Sequence, residues 1–184
     1  KARPTAYAAP DGNFVVRTSE VILEIDGWTG ATRWTAATSV ALQNLYSVSM
    51  IVGQNVLYVF GFNSVTQVHN LLCVSREDGT QLWTINGTGH APFDTQVRAL
   101  LAVAADDAIV TFHNASGTND LAMIRSSKQS GGAVVPEQVW RKPAYAPLSD
   151  GVIVTQGVMV VLSEYGPTGY DCQEQCLCGF EATT

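Results

Sequence analysis

An all-β fold is predicted by three observations: short runs rich in β-branched and aromatic residues, turn residues between most of them, and no helical period over about 11 residues or more. In chain order, strands are expected near Thr5–Ala9, Asn13–Thr18, Glu20–Asp26 and Thr32–Ala37. A second set is expected at Leu45–Val52, Asn55–Phe62, Asn70–Ser75 and Gln81–Asn86. A third covers Arg98–Ala104, Ala108–His113, Asp120–Arg125 and Gln138–Lys142, and a shorter last set Val152–Gln156 and Val158–Glu164. Asp11-Gly12, Gly53-Gln54, Asp78-Gly79, Asp106-Asp107 and Asp150-Gly151 read as turns, because Asp and Gly tolerate the conformations that reverse a chain.

Composition narrows the function. The 184 residues are 46% hydrophobic and 14% charged, with net charge −6. The charged share is well under the roughly 25% of ordinary soluble domains, and a chain this apolar buries enough surface to fold. Ten Lys and Arg in an acidic chain argue against nucleic-acid binding, which needs clustered cations. No apolar run reaches the roughly 18 residues of a membrane span; Val152–Leu162 is interrupted by Thr155, Gln156 and Gly157. The chain starts at Lys1, without Met or a signal-peptide pattern, and so reads as processed or as a piece of something longer.

The strands repeat as a unit. Leu23-Glu24-Ile25-Asp26-Gly27-Trp28-Thr29-Gly30-Ala31-Thr32-Arg33-Trp34 aligns with Leu72-Cys73-Val74-Ser75-Arg76-Glu77-Asp78-Gly79-Thr80-Gln81-Leu82-Trp83 at a shift of 49 residues. Trp83 and Trp140 are 57 apart, the excess falling in Ser126–Pro136, whose small polar residues suit an expanded loop. Four strands per roughly 40–50 residues is the pattern of propeller blades. A β-sandwich also has many short strands, but it would not set a Gly–x3–Trp turn at a fixed period. The expected architecture is a β-propeller arc of four-stranded antiparallel blades near residues 5–37, 45–86, 97–142 and 146–165, about three full blades plus part of a fourth. A Cys-containing tail, 166–184, follows.

The first repeat, Glu24-x-Asp26-x-x-Thr29-Gly30-x-x-x-Trp34, resembles the tryptophan-docking motif of quinoprotein-type (PQQ-like) propellers. The second keeps Gly79 and Trp83 but has Ser75 for Asp, and the third keeps only Trp140. Gly30 and Gly79 suit a positive-φ turn between a blade's third and fourth strands. The tryptophan then lies on the outermost strand, where its ring fills the wedge between blades. Ordinary core packing and the resemblance give these residues the same structural role. Tyr46–Gly79, and then Ala102–Val110, are in addition similar to the luminal propeller of the large first subunit of the ER membrane protein complex, whose work is membrane protein insertion.

No enzymatic site is expected. A quinoprotein dehydrogenase, the alternative reading, needs a closed ring, a metal, a base carboxylate and, commonly, a disulfide between adjacent cysteines. Cys73, Cys172, Cys176 and Cys178 include no adjacent pair, and no catalytic or cofactor residue carries over. His69, His90 and His113 have no partner at metal-ligand spacing and read as solvated histidines in loops or at strand ends. Gly61 and Gly131-Gly132 are no phosphate loop, Asp106-Asp107 is a hairpin turn and not a calcium loop, and no Gly-x-Ser-x-Gly occurs.

Cys172, Cys176 and Cys178 suit local disulfide pairing in the secretory pathway; as a zinc site they would need Cys73 as a fourth ligand. Asn86-Gly87-Thr88 and Asn114-Ala115-Ser116 are glycosylation sequons in expected loops. The expected location is therefore luminal or extracellular. An open arc exposes sheet surface at both ends, which further blades of a parent chain or another polypeptide would cover. The fitting function is a non-catalytic scaffold, WD40-like in use, with no cofactor and with protein partners. The contact candidates are Gly87–Gln96 and Ser126–Pro136.

Overall fold

The structure is a computed structural model and describes residues 4–18, 21–37, 45–86, 97–113, 119–144, 148–155, 158–165 and 171–181; from 143 onward it gives strand pairing. These residues fold into four antiparallel meanders. Blade 1 comprises β1 (Thr5–Ala8), β2 (Phe14–Arg17), β3 (Val21–Ile25) and β4 (Thr32–Ala37), side by side in chain order. Blade 2 is built likewise from β5 (Leu45–Val52), β6 (Val56–Asn63), β7 (Val68–Ser75) and β8 (Gln81–Asn86). Blade 3 comprises β9 (Val97–Ala104), β10 (Asp107–His113), β11 (Asn119–Lys128) and β12 (Val134–Ala144). The fourth sheet has β13 (Leu148–Thr155), β14 (Val158–Tyr165) and β15 (Asp171–Glu181).

The first strands of successive sheets lie beside one another, β1 by β5, β5 by β9 and β9 by β13, as in a propeller whose innermost strands surround an axis. Among the described residues there is no helix, so none is long and apolar enough to cross a membrane.

Apolar packing sits between the blades. Val15, Ile22 and Trp34 of blade 1 meet Leu57, Val59, Leu72 and Val74 of blade 2. The opposite face of blade 2, with Tyr58, Phe60, Cys73 and Trp83, meets Ala108, Val110, Ala122 and Ile124 of blade 3. Blade 2 is thus covered on both faces, which is why Val56–Gly61 and Asn70–Val74 are buried without alternation. In β3 only Ile22 and Glu24 are buried, so that strand keeps an alternating pattern.

Three sequence expectations are corrected. Ser126–Pro136 is no loose loop: Ser126–Lys128 extend β11 and Val134–Pro136 begin β12, paired Ser126↔Pro136, Ser127↔Val135 and Lys128↔Val134. The extra length went into a longer hairpin, whose turn closes at Gly132 with φ 83°. Asp150-Gly151 lies inside β13, where the register is irregular between Leu148 and Val152, so the expected turn is absorbed as a bulge. Finally, Asp171–Glu181 of the expected tail form β15, paired from Val158↔Glu181 to Tyr165↔Asp171. Their weak intrinsic β preference is overridden by the open edge of apolar β14.

Candidate functional site

The repeated turn has the same backbone geometry in both copies. Gly30 N–H donates to the Asp26 carbonyl at 2.9 Å and Asp26 N–H to Ala31 at 2.8 Å. Gly79 N–H donates to Ser75 at 3.0 Å and Ser75 N–H to Thr80 at 2.8 Å. Gly30 and Gly79 have φ 72° and 76°, values that disfavour any residue with a Cβ. In the first copy the Asp26 carboxylate accepts from the Thr29 amide, the Thr29 hydroxyl and the Trp28 amide. The Thr29 and Trp28 bonds hold the Asp26 carboxyl below the usual carboxylate range. In the second copy Ser75 stands at that place, and Asp78 accepts from the Thr80 amide and hydroxyl; those bonds lower the Asp78 pKa in the same way.

The second turn serves as a seat for the neighbouring blade. Trp34 donates its indole N–H to the Arg76 carbonyl at 2.7 Å, with its ring so close to Gly79 that a Cβ there would meet it at 2.6 Å. Trp83 reaches blade 3 in the same direction and donates to Ser126 Oγ at 2.9 Å. All three repeat tryptophans share one register feature: Trp34 faces Glu24, Trp83 faces Cys73 and Trp140 faces Met123, each followed by a bulge. Trp140 Nε1 and Gln138 Oε1 are buried with no hydrogen-bond partner among the described residues.

A polar clamp beside the first seat escaped the sequence reading. Glu24 is 0% exposed and Arg76 4% exposed. Arg76 donates five bonds: Nε to Glu24 Oε2 at 3.0 Å, Nη2 to Glu24 Oε1 at 2.9 Å and to Asp11 Oδ1 at 2.8 Å, and Nη1 to the Gly53 and Gln54 carbonyls. Glu24 Oε1 also accepts from Arg33 at 2.9 Å and from Asn13 at 3.1 Å. Burial pulls the Arg76 pKa down, but hydrogen bonds and charge from Glu24 and Asp11 outweigh it and hold it up. Asp11 is the mirror case: burial pushes upward, and the bond to Arg76 and the Asn13 amide bring the net shift below the ordinary value. A cleft of about 480 Å³ opens here, lined by Asp11, Arg33, Asn55, Ser75, Arg76 and Glu77 among others. The signal was present in the alternation of β3, which puts Glu24 on the face of Ile22.

At the places of Glu24 and Arg76, the junction of blades 2 and 3 has the neutral Cys73 and Ser126. Cys73 Sγ lies 3.4 Å from Ser126 Oγ, and burial pushes its thiol up to about 11. Tyr58 donates to the Asp106 carbonyl at 2.7 Å, and burial raises its pKa. Asp106 also accepts from the Asn55 amide and side chain at 3.0 and 2.7 Å. The turn read as Asp106-Asp107 is Ala105-Asp106, at φ 48° and 70°; Asp107 opens β10 and pairs with Arg125 at 2.7 Å.

Other expected residues fall as follows. His69 is not a solvated loop histidine: β7 begins at Val68, and His69 is half-buried, stacked on Phe60 at 5.2 Å. Burial, with Arg98 nearby, lowers its pKa. His90 and Gly87–Gln96 lie outside the described residues, and His113 closes β10. Asn86 ends β8 and is exposed, whereas Asn114 lies outside the described residues. Cys172, Cys176 and Cys178 are placed on β15, their side chains outside the description; Cys73 is a free buried thiol.

No family model and no curated protein matches the sequence. Solved structures do. BamB from Moraxella catarrhalis aligns over 97% of this chain and 49% of its own, with TM-score 0.52 and 16% identity. The WD40 domain of SCAP from fission yeast aligns over 97% of this chain and 44% of its own, with TM-score 0.51 and 10% identity. The chain therefore spans about half the length of these solved chains. At such identities the likeness establishes the fold, a partial β-propeller.

Proposed function

We propose that this chain is a non-catalytic propeller segment that presents its turns and blade edges to protein partners. The observation that carries the reading is the use made of buried polar groups. Buried Glu24 of blade 1 accepts from Asn13 of its own blade and, across the first junction, from Arg76 of blade 2, which also donates to Asp11 of blade 1 and to the Gly53 and Gln54 carbonyls of its own blade. Groups spent in this way hold blades together. The exposed turn of the long β11–β12 hairpin, with Lys128 and Gln129 beside it, is the surface we assign to partners.

The finer reading places the segment in the lumen of the secretory pathway, within the propeller of the ER membrane protein complex. Supporting it are the sequon at exposed Asn86 and the resemblance over Tyr46–Gly79 and Ala102–Val110. The test is in-cell crosslinking of the tagged native protein, with endoglycosidase treatment and an absorbance spectrum. Crosslinks from Lys128 to subunits of a membrane-embedded ER complex and a glycosidase-sensitive mass are expected. A tightly bound quinone in the spectrum would replace the scaffold reading with the dehydrogenase one.

A further inference from the structure

The outward face of blade 1 reproduces a face that is covered elsewhere in the chain. On blade 2, Leu57, Val59, Leu72 and Val74 face blade 1 and are 0%, 0%, 0% and 2% exposed. Their repeat equivalents on β2 and β3 are Phe14, Val16, Leu23 and Ile25. The register agrees: Phe14 pairs with Ile25 and Val16 with Leu23, as Leu57 pairs with Val74 and Val59 with Leu72. Yet Phe14 is 44% exposed, and the other three are only half-buried.

The turn above this face is equally open. Gly30 and Gly79 share hydrogen bonds and φ, but a Cβ on Gly79 would meet the Trp34 ring at 2.6 Å, while one on Gly30 would meet nothing within 4 Å. The seat is formed, and none of the described residues lies on it. Trp28, 92% exposed in the same turn, adds apolar surface where blade 2 has Glu77.

We propose that this face docks a further blade of the same repeat, carried on the same polypeptide. Its outer-strand tryptophan lies over Gly30 and donates its indole N–H to the Gly27 carbonyl, the equivalent of the Arg76 carbonyl that receives Trp34. Gly27 has no side chain where Arg76 has its guanidinium, so a buried carboxylate opposite it would go unpaired. The incoming blade therefore carries a neutral residue at the place of Glu24, as blade 2 does with Cys73. A blade in cis is chosen over a second copy because the two apolar junctions among the described residues each join consecutive sheets of one chain. The matched BamB propeller also has about half its length beyond the match. The assignment stands on the fold and does not depend on which partners the propeller holds.

The test replaces Phe14 with p-benzoylphenylalanine in the protein as its cell makes it, followed by irradiation and peptide mapping. The expected product keeps the mass of a single chain on a denaturing gel, with the crosslink in a hairpin bearing Gly–x3–Trp. A doubled mass would assign the face to a second copy, and a crosslink to another protein would assign it to a foreign partner. Either result, or no crosslink at all, overturns the proposal. Phe14→Asp in the same protein gives an independent readout: a fall in Tm of about 5 °C or more is expected for a charge driven into a blade junction, and an unchanged Tm shows the face to be open to water.

Discussion

Trp34 and Arg76 hold each other's blades twice over. The Trp34 indole donates to the Arg76 carbonyl at 2.7 Å, and the Arg76 guanidinium returns to Glu24, the residue that faces Trp34 across β3 and β4. Backbone, indole, guanidinium and carboxylate thus close one network over the junction. Such networks stabilise only when every member is satisfied, which makes each member costly to remove alone.

Arg76→Ala is expected to destabilise the chain by about 3 kcal/mol, the low end for breaking a buried pair, because it leaves the buried Glu24 carboxylate only Arg33 and Asn13 as partners. Replacing the pair together, as Glu24→Leu with Arg76→Met, should recover most of that loss. Urea denaturation of the two singles and the double measures it. Single-variant losses under about 1 kcal/mol, the scale of exposed ion pairs, would show that Glu24 is hydrated.

At the second junction the bond from Trp83 to Ser126 is neutral and simpler. Trp83→Phe and Ser126→Ala should each cost about 1 kcal/mol for the bond itself, with Trp83→Phe losing some packing besides. A double-mutant cycle should give a coupling of about 0.5–1.5 kcal/mol. Additive losses would mean that the indole finds another acceptor when Ser126 is shortened.

Cys73 should be inert toward alkylation in the folded chain. Its thiol is buried and pushed up to about 11, so near pH 8 it has little thiolate and no access. The raised pKa stabilises the fold below the unfolded value near 9 and loses that contribution as pH rises toward 11. Peptide-resolved iodoacetamide labelling should modify Cys73 only in denaturant; labelling at the unfolded rate without denaturant would place the sulfur at the surface.

Acid stability follows from the turns. The carboxyls of Asp26 and Asp78 titrate below 3.8 in the folded chain, so both contribute stability above that value and lose it as pH falls through their folded pKa. Asp26→Asn and Asp78→Asn should each flatten the acid limb of a Tm-against-pH curve, leaving its neutral region less affected. An acid limb unchanged in both variants would mean that other carboxylates govern unfolding.

What the sequence showed of this molecule depended on whether the signal was local. Gly30, Gly79, Trp34 and Trp83 form a local turn-plus-strand pattern, visible at a fixed spacing. Arg76 is different: a cation just past a strand end reads as solvated until the neighbouring blade puts Glu24 opposite it. β15 was missed for a related reason, since Asp171–Glu181 has few β-branched residues and is a strand through pairing with β14. His69 was misplaced because the turn before it is tight: Gln67 takes φ 58° and lets Val68 pair directly with Asn63.

The two turn glycines offer a comparison within one chain. Alanine at either one forces a Cβ into a left-handed conformation, at about 1 kcal/mol. At Gly79 the new methyl also meets the Trp34 ring, and relieving that overlap should add about 1–3 kcal/mol, because a packed junction yields little. In the 184-residue chain, Gly79→Ala should therefore be the more destabilising of the two by chemical denaturation. Trp34→Ala should erase the difference, since it removes the ring that separates the two sites. Equal losses for both variants in the chain with Trp34 intact would mean that the indole withdraws freely from its seat. The blade junction would then owe its stability to the Glu24–Arg76 clamp and the apolar face alone.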